Sequence, residues 1–151
     1  MKIIISPWSK KQRNGKPSPK NYPHWKELIE LIGQEKIIQI GLGGEEKLVD
    51  DCRFGLNFEE IDDLICDADM CVSIDNMFQH LCWFNERKCV VLFGISDPEI
   101  FGHEDNVNLL KSRKYLRQNQ FGFYEDSDYC PEAFLDAETV YKKLKELNKN
   151  L

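Results

Sequence analysis

Short apolar runs alternate along the chain with segments whose apolar residues recur at helical spacing. The runs are rich in isoleucine and valine and are too short for helices, so they predict buried parallel strands. We predict main strands at residues 2–6, 36–40, 70–74 and 89–93, a brief edge strand at 52–54 and a last short strand at 107–110.

Helical spacing follows most of these strands. Asn57 and Glu60 form a capping-box pattern ahead of one helix, and Asp136 precedes the last one. A short helix is also predicted at 45–51. The predicted inner faces of the other helices are Trp25, Leu28, Ile29 and Ile32; Ile61, Leu64 and Ile65; Met77, Leu81 and Phe84; and Val140, Tyr141, Leu144 and Leu147. Strands that alternate with helices form right-handed βαβ units, so the predicted fold is α/β, a Rossmann-like three-layer sandwich with a parallel sheet.

Composition favours a single domain over residues 1–151. With 42% hydrophobic residues, a chain of this length buries one core. A net charge of −6 and a pI near 5.1 argue against general binding of nucleic acids, which usually requires a basic surface. Residues 9–23 depart from this average because they hold five basic residues and no acidic one. This basic loop is either a local anion site or a solvated loop.

The cysteines indicate a reducing compartment. None of the six forms a Cys-x-x-Cys pair, and most lie in runs predicted to be buried, so we interpret them as structural thiols. No signal peptide, transmembrane segment or metal-ligand cluster is recognisable. We therefore expect a cytoplasmic protein without a membrane span or a bound metal ion.

Two polar loops carry the candidate chemistry. Asp75 and Asn76 follow one predicted strand and precede a helix, whose N-terminus attracts anions. Ser96 and Asp97 follow the next predicted strand. Open α/β sheets bind their ligands at the carboxyl ends of the strands. The two loops therefore predict one shared site.

A resemblance to a known family rests on the segments 73–80 (Ser-Ile-Asp-Asn-Met-Phe-Gln-His) and 92–98 (Leu-Phe-Gly-Ile-Ser-Asp-Pro). Together they resemble the C-terminal half of glycosyltransferase family 9, the ADP-heptose:lipopolysaccharide heptosyltransferases. That family has a strand, an Asp-Thr-Gly loop, a histidine, a second strand and a Phe-Gly-x-Thr-Asp-Pro-like loop in this order. The resemblance covers most of the chain and implies one half of a GT-B glycosyltransferase. Its implied ligand is a nucleoside-diphosphate sugar, with no covalently bound cofactor.

The resemblance also implies the residues that contact the ligand. The implied contacts are Ser6 and Lys20 to the diphosphate, Glu45 or else Glu46 to the ribose, Leu56 to the base, Asp75, Asn76, Met77 and His80 to the diphosphate and sugar, and Ser96 and Asp97 in the second loop. Several have a structural alternative: Asp75 as a helix cap, His80 as a buried core histidine, Lys20 as a solvated charge, and Glu45 as the partner of a helix dipole. Trp83 and Phe84 are interpreted as packing residues, and His24 and His103 are assigned no role.

Two departures from the family pattern shape the functional hypotheses. Met77 replaces the glycine of the Asp-Thr-Gly loop, which restricts the backbone where phosphate approaches. The N-terminal half, which in the family binds the acceptor and supplies the catalytic base, has no counterpart in this sequence. The leading hypothesis is a domain that binds a nucleotide sugar and needs a partner chain or a second copy for the acceptor. The alternatives are a binding module without catalysis and a scaffold that kept only the fold.

Overall fold

The structure, a computed structural model, describes residues 1–151 and contains one six-stranded sheet in which all neighbouring strands are parallel. The strands are β1 (Ile3–Ser6), β2 (Ile37–Gly41), β3 (Cys52–Phe54), β4 (Met70–Ile74), β5 (Cys89–Phe93) and β6 (Val107–Leu110). Their order across the sheet is β3-β2-β1-β4-β5-β6. This is the doubly wound order of a Rossmann-like fold. The predicted strands and the α/β class are confirmed.

Helices cover both faces of the sheet. They are α1 (Trp25–Ile32), α2 (Phe58–Asp67), α3 (Met77–Phe84), the single turn α4 (Pro98–Phe101) and α5 (Ala137–Leu147). The core on one face includes residues of α1 and α5, and the core on the other includes residues of α2 and α3. The sandwich therefore has three layers, as predicted. No helix of the protein is both long enough and apolar enough to cross a lipid bilayer.

Strand β1 shows why the apolar runs are continuous. Its three isoleucines are fully buried: Ile3 and Ile5 belong to the core under α1 and α5, and Ile4 belongs to the core under α2 and α3. A strand with helices on both sides must present apolar side chains in both directions. The run therefore lacks the alternation of apolar and polar residues that is typical of a strand with one solvent-exposed face.

The N-termini of α2 and α5 form as the sequence predicted. Asn57 Oδ1 accepts a 2.8 Å hydrogen bond from the backbone N–H of Glu60, and Glu60 Oε2 accepts one of the same length from the N–H of Asn57. This reciprocal pair is a capping box. Asp136 caps α5 by accepting from the N–H of Thr139. Both caps satisfy amide groups that a helix leaves without intrahelical partners.

The predicted helix at 45–51 is wrong. The segment that joins β2 to β3 contains no helix, because other groups take its backbone atoms. Gln39 is fully buried, and its side chain donates to the carbonyl of Glu46 and accepts from the N–H of Leu48. The indole N–H of Trp8 donates to that same carbonyl. These contacts hold the segment against the end of the sheet.

The inner face of α3 also differs from the prediction. Its buried residues are Phe78, Gln79 and Cys82, whereas Met77 and Phe84 are exposed. The apolar spacing of Met77, Leu81 and Phe84 is helical, but of the three only Leu81 packs against the core, and it is half-buried. Trp83 is also about half exposed, so it and Phe84 are not packing residues of the core.

The cysteines are all free thiols, distributed between core and surface. Cys71, Cys82 and Cys89 are buried in the core under α2 and α3. Cys66 is exposed, and the other two are half-buried. Only half of the cysteines therefore act as buried packing residues, fewer than the sequence predicted.

Candidate functional site

The order of the strands creates a crevice between the carboxyl ends of β1 and β4. From β1 the chain first builds outward through β2 and β3, and then returns to the other side of β1 to build β4, β5 and β6. The loops that leave β1 and β4 therefore diverge. Open parallel sheets bind ligands at such a switch point. Ser6 ends β1, and Asp75 and Asn76 directly follow β4.

Asn76 fixes the geometry of this crevice. Its side-chain amide donates to the carbonyl of Ser6 at 3.2 Å, to Ser6 Oγ at 3.0 Å and to the carbonyl of Trp8 at 3.2 Å. Its Oδ1 accepts from the N–H of Phe78 and caps α3. One side chain thus joins the end of β1 to the start of α3. The helix cap is Asn76 and not Asp75.

Two adjoining cavities open at the crevice. The main groove, of about 680 Å³, is bordered among others by Ser6, Glu45 and Leu56. The side pocket, of about 460 Å³, is bordered by Asp75, His80 and residues of the loop that follows β6. Both cavities share Lys20, Asn76 and Met77. The residues at the junction are therefore a cation, a fixed amide and the first residue of a helix.

Lys20 lies at the junction as a mostly buried cation. Its Nζ is 3.7 Å from Asp75 Oδ2 and 5.1 Å from the centre of the Tyr124 ring. Asp75 is itself buried, and its Oδ1 accepts a 2.8 Å hydrogen bond from Gln79 Nε2. Lys20 is thus held in place by a carboxylate and an aromatic ring, and it is not a freely solvated loop charge.

Arg117 and Tyr124 border the side pocket, and the sequence analysis did not assign them to the site. The Arg117 guanidinium lies 3.8 Å from the centre of the Tyr124 ring and donates to the carbonyls of Gln120 and Gly122. The signal in the sequence was the basic segment 111–118 followed by an aromatic loop. Only the tertiary fold brings that segment to the end of β4.

Glu45 and Leu56 border the far part of the main groove. Glu45 folds back over the end of β2, since a Cβ on Gly41 would lie 2.1 Å from Glu45 Oε2. Burial raises the pKa of Glu45 above its usual value. Because no helix begins here, the alternative role as partner of a helix dipole does not apply. Glu46 also lies outside both cavities.

Ser96 and Asp97 do not border either cavity. Ser96 is buried, and its hydroxyl is 3.1 Å from Tyr124 Oη, so it supports the ring beside Lys20. Asp97 caps α4 and forms two hydrogen bonds with the Arg113 guanidinium, which lowers the pKa of the Asp97 carboxyl. The structure therefore gives both residues a supporting position behind the crevice.

His80 is exposed and is not a core histidine. Its Nδ1 lies 2.7 Å from His103 Nε2, and its ring borders the side pocket. The partial burial of its ring, reinforced by His103 and Lys20, lowers the pKa of His80, while Asp75 opposes this effect. His103 therefore contacts a residue of the predicted site, although the sequence gave no reason to assign it a role. No group of three or more His, Cys, Asp or Glu side chains is arranged to hold a metal ion.

Comparisons with known proteins define the class of fold. The sequence matches no protein-family model and no curated protein. Among solved structures, its fold is that of a portion of the heptosyltransferases. The predicted resemblance to this group is confirmed at the level of the fold.

Two solved heptosyltransferases are similar along nearly the whole chain. The dodecameric iron-containing heptosyltransferase TibC, in complex with ADP-D-β-D-heptose, matches with a TM-score of 0.69 and 15% identity over 99% of this chain and 45% of its own. Escherichia coli heptosyltransferase WaaC with ADP matches with a TM-score of 0.63 and 17% identity over 96% of this chain and 43% of its own. The chain thus spans less than half the length of either protein.

Proposed function

We propose that this chain is a glycosyltransferase-like domain that binds a nucleoside-diphosphate sugar in the crevice between β1 and β4. The observation that carries the proposal is the junction of the two cavities, where Lys20, the Ser6 hydroxyl and the N-terminus of α3 converge. A cation, a hydroxyl donor and free helix amides together suit a diphosphate. The ADP and ADP-heptose in the two similar structures support the same class of ligand.

The two cavities suggest the orientation of such a ligand. With the diphosphate at the junction, the nucleoside extends into the main groove, where Glu45 is placed for the ribose hydroxyls and Leu56 for the base. The sugar then lies in the side pocket beside Asp75 and His80. Met77 is the first residue of α3, and its side chain is about half exposed. A phosphate can therefore approach the amide of Met77 without a glycine at this position.

Chemistry in this domain is limited to the departing diphosphate. In glycosyl transfer the acceptor oxygen attacks the anomeric carbon, and the electron pair of the broken C–O bond moves to the diphosphate oxygen. Lys20, Ser6 and the amides of α3 would stabilise that charge. The acceptor proton needs a carboxylate base on the opposite face. Asp75 is already bound to Gln79 and Lys20 on the diphosphate side, so we propose that the base comes from outside this domain.

We further propose that a second copy of the chain covers the crevice. Large apolar side chains that are more than half exposed border its cavities: Leu42, Phe58, Met77 and Phe121, here called the apolar rim. Exposed apolar groups around a cleft usually mark an interaction surface. TibC assembles as a dodecamer, which favours self-association over an unrelated partner.

We also propose that the protein acts in the cytoplasm, where nucleotide sugars are made.

A panel of nucleoside diphosphates and their sugar conjugates tests the ligand. At about a hundred times its dissociation constant, a ligand that binds only the folded state adds roughly 2.7 kcal/mol, a rise of several degrees in Tm. We expect a base-selective rise for the wild type that is lost in Asp75→Ala. A rise without turnover by the assembled protein would favour a binding module. If no nucleotide raises the Tm of the wild type, only the scaffold hypothesis is left.

Light scattering after size-exclusion chromatography measures the oligomeric state and so tests whether a second copy covers the crevice. We expect the wild type to form a dimer or larger assembly at micromolar concentration, and Phe58→Asp and Phe121→Asp to shift it to monomer because each places a charge in the apolar rim. Leu147→Asp is the matched control, since Leu147 is half exposed on α5, outside the apolar rim. A wild type that stays monomeric at all concentrations excludes self-association.

A further inference from the structure

Two histidines share a hydrogen bond at the edge of the side pocket. His80 Nδ1 and His103 Nε2 are 2.7 Å apart, and their rings meet edge to face at 82°. A contact between two imidazole nitrogens requires a proton on one and a lone pair on the other. His80 Nε2 has no hydrogen-bond partner in the protein, and the His80 ring borders the pocket. His80 thus has one nitrogen engaged and one available.

The position of His103 is fixed by its surroundings. Its ring stacks on Trp83 with centres 4.6 Å apart and planes 7° from parallel. Its carbonyl accepts a 3.0 Å hydrogen bond from Asn108 Nδ2. Trp83 follows His80 by three residues on α3, so both rings lie on the same side of the helix. Trp83 does not pack in the core, but its ring supports His103.

The charges around His80 disfavour its protonation. Lys20 and Arg117 border the same pocket, Asp75 is the one carboxylate that lines it, and both cations lie over the Tyr124 ring. The local balance of one carboxylate against two cations disfavours a further positive charge. Burial and the neighbouring His103 and Lys20 also lower the pKa of His80. An anion in the crevice reverses this balance, because it brings negative charge to the same pocket.

We propose that His103 is a positioning residue for His80, and that the His80–His103 pair takes up one proton when a nucleoside diphosphate binds. In the protonated pair, His80 carries both ring protons. Its Nδ1–H donates to His103 Nε2, and its Nε2–H donates to the ligand. His103 stays neutral with its proton on Nδ1, and the added proton comes from solvent. The inference rests on the proposed function, because it concerns the same site.

Binding of ADP at different pH values tests the proton uptake. The wild type should gain affinity as pH falls from about 8 to 6, approaching tenfold per pH unit beyond any change due to ADP itself. His103→Phe keeps the stacked ring on Trp83 but removes the acceptor nitrogen. We expect this variant to lose the additional dependence of ADP affinity on pH. In His103→Gln the amide oxygen can accept the hydrogen bond, so this variant should keep part of that dependence. The ratio of wild-type to variant affinity cancels protons that ADP exchanges.

Calorimetry in buffers of different ionisation enthalpy gives a second readout. The wild type should take up more protons per bound ADP than His103→Phe near neutral pH, by up to one proton. His24→Phe is the matched control, since His24 precedes α1 and borders neither cavity. Equal proton uptake in wild type and His103→Phe, with ADP bound by both, overturns the inference and leaves the proposed function intact. If the wild type binds neither ADP nor any other nucleoside diphosphate of the panel, both the inference and the proposed function are overturned.

Discussion

Lys20→Met is expected to weaken nucleoside-diphosphate binding by roughly ten- to a hundredfold, because a hydrogen bond to a charged group contributes about 1.5–3 kcal/mol. Lys20 is the residue for which the structure gives the clearest reason to expect this. It borders both cavities, and its ammonium group is oriented by Asp75 and by the Tyr124 ring. Methionine keeps most of the apolar stem of the side chain and removes the ammonium group, with its charge and its hydrogen-bond donors. Titration calorimetry with ADP measures the change directly.

Lys11→Met is the matched control for this prediction. Lys11 lies in the same basic loop, is exposed, and borders neither cavity. The two variants have the same change in net charge, so a general electrostatic attraction would affect them equally. If both weaken ADP binding to the same degree, Lys20 has no specific role and the basic loop acts only through its overall charge.

Loss of Lys20 also leaves Asp75 as a buried carboxylate without its cation. Some destabilisation of the free protein is therefore expected in Lys20→Met. The double variant Lys20→Met with Asp75→Asn removes both charges and separates the two effects. Recovery of stability without recovery of binding assigns the binding loss to Lys20 itself. Recovery of both would show that Lys20 acts only by neutralising Asp75.

Phe134→Ala should lower the free energy of unfolding by about 3–5 kcal/mol, the usual cost of deleting a buried aromatic ring. Phe134 is 2% exposed, and its ring packs edge to face on Tyr22 with the ring centres 5.9 Å apart. It packs directly on the backbone of Gly94, where an added Cβ would lie 2.5 Å from Phe134 Cζ. Urea unfolding of the wild type and the variant measures the loss. Total stabilities are commonly about 5–15 kcal/mol, so this is a large fraction.

The contact with Gly94 allows a sharper test of the same packing. Gly94→Ala should destabilise the wild type by about 1–3 kcal/mol through overpacking. In the Phe134→Ala background, where the ring is absent, the same substitution should be nearly neutral. Phe84→Ala is the control for loss of an aromatic ring, because Phe84 is 75% exposed and lies outside the apolar rim, and its effect should stay within about 0.5 kcal/mol. Equal costs for Gly94→Ala in both backgrounds would rule out the ring as the cause.

The predicted site residues fall into two groups in the structure. Most of the residues chosen from the family resemblance border the two cavities: Ser6, Lys20, Glu45, Leu56, Asp75, Asn76, Met77 and His80. Ser96 and Asp97 lie behind them. The loops at the ends of neighbouring parallel strands must meet at one edge of the sheet, so the positions of Asp75 and Asn76 could be predicted once the strands were known. The other residues of the first group were implied only by the family resemblance. Their contacts with a ligand stay predictions that binding experiments must test.

Residues contributed by distant loops could not be predicted. Arg117 and Tyr124 reach the side pocket from the segment between β6 and α5, which has no long helix or strand. His103 reaches His80 from just beyond the single helical turn α4. Neither placement follows from a local pattern. Each depends on how an irregular loop crosses the edge of the sheet, which is decided by contacts between residues far apart in the chain.

The sequence by itself determined the strands, the three-layer fold and the caps of α2 and α5. Those features depend on local propensity and on the side-chain period, which are written in consecutive residues. The tertiary structure alone decided the conformation of 42–51, where Gln39 competes for the backbone, and the outward side of α3. It also decided the pairing of His80 with His103. In each case the deciding partner is distant in sequence or on another element, so no local pattern encodes the outcome.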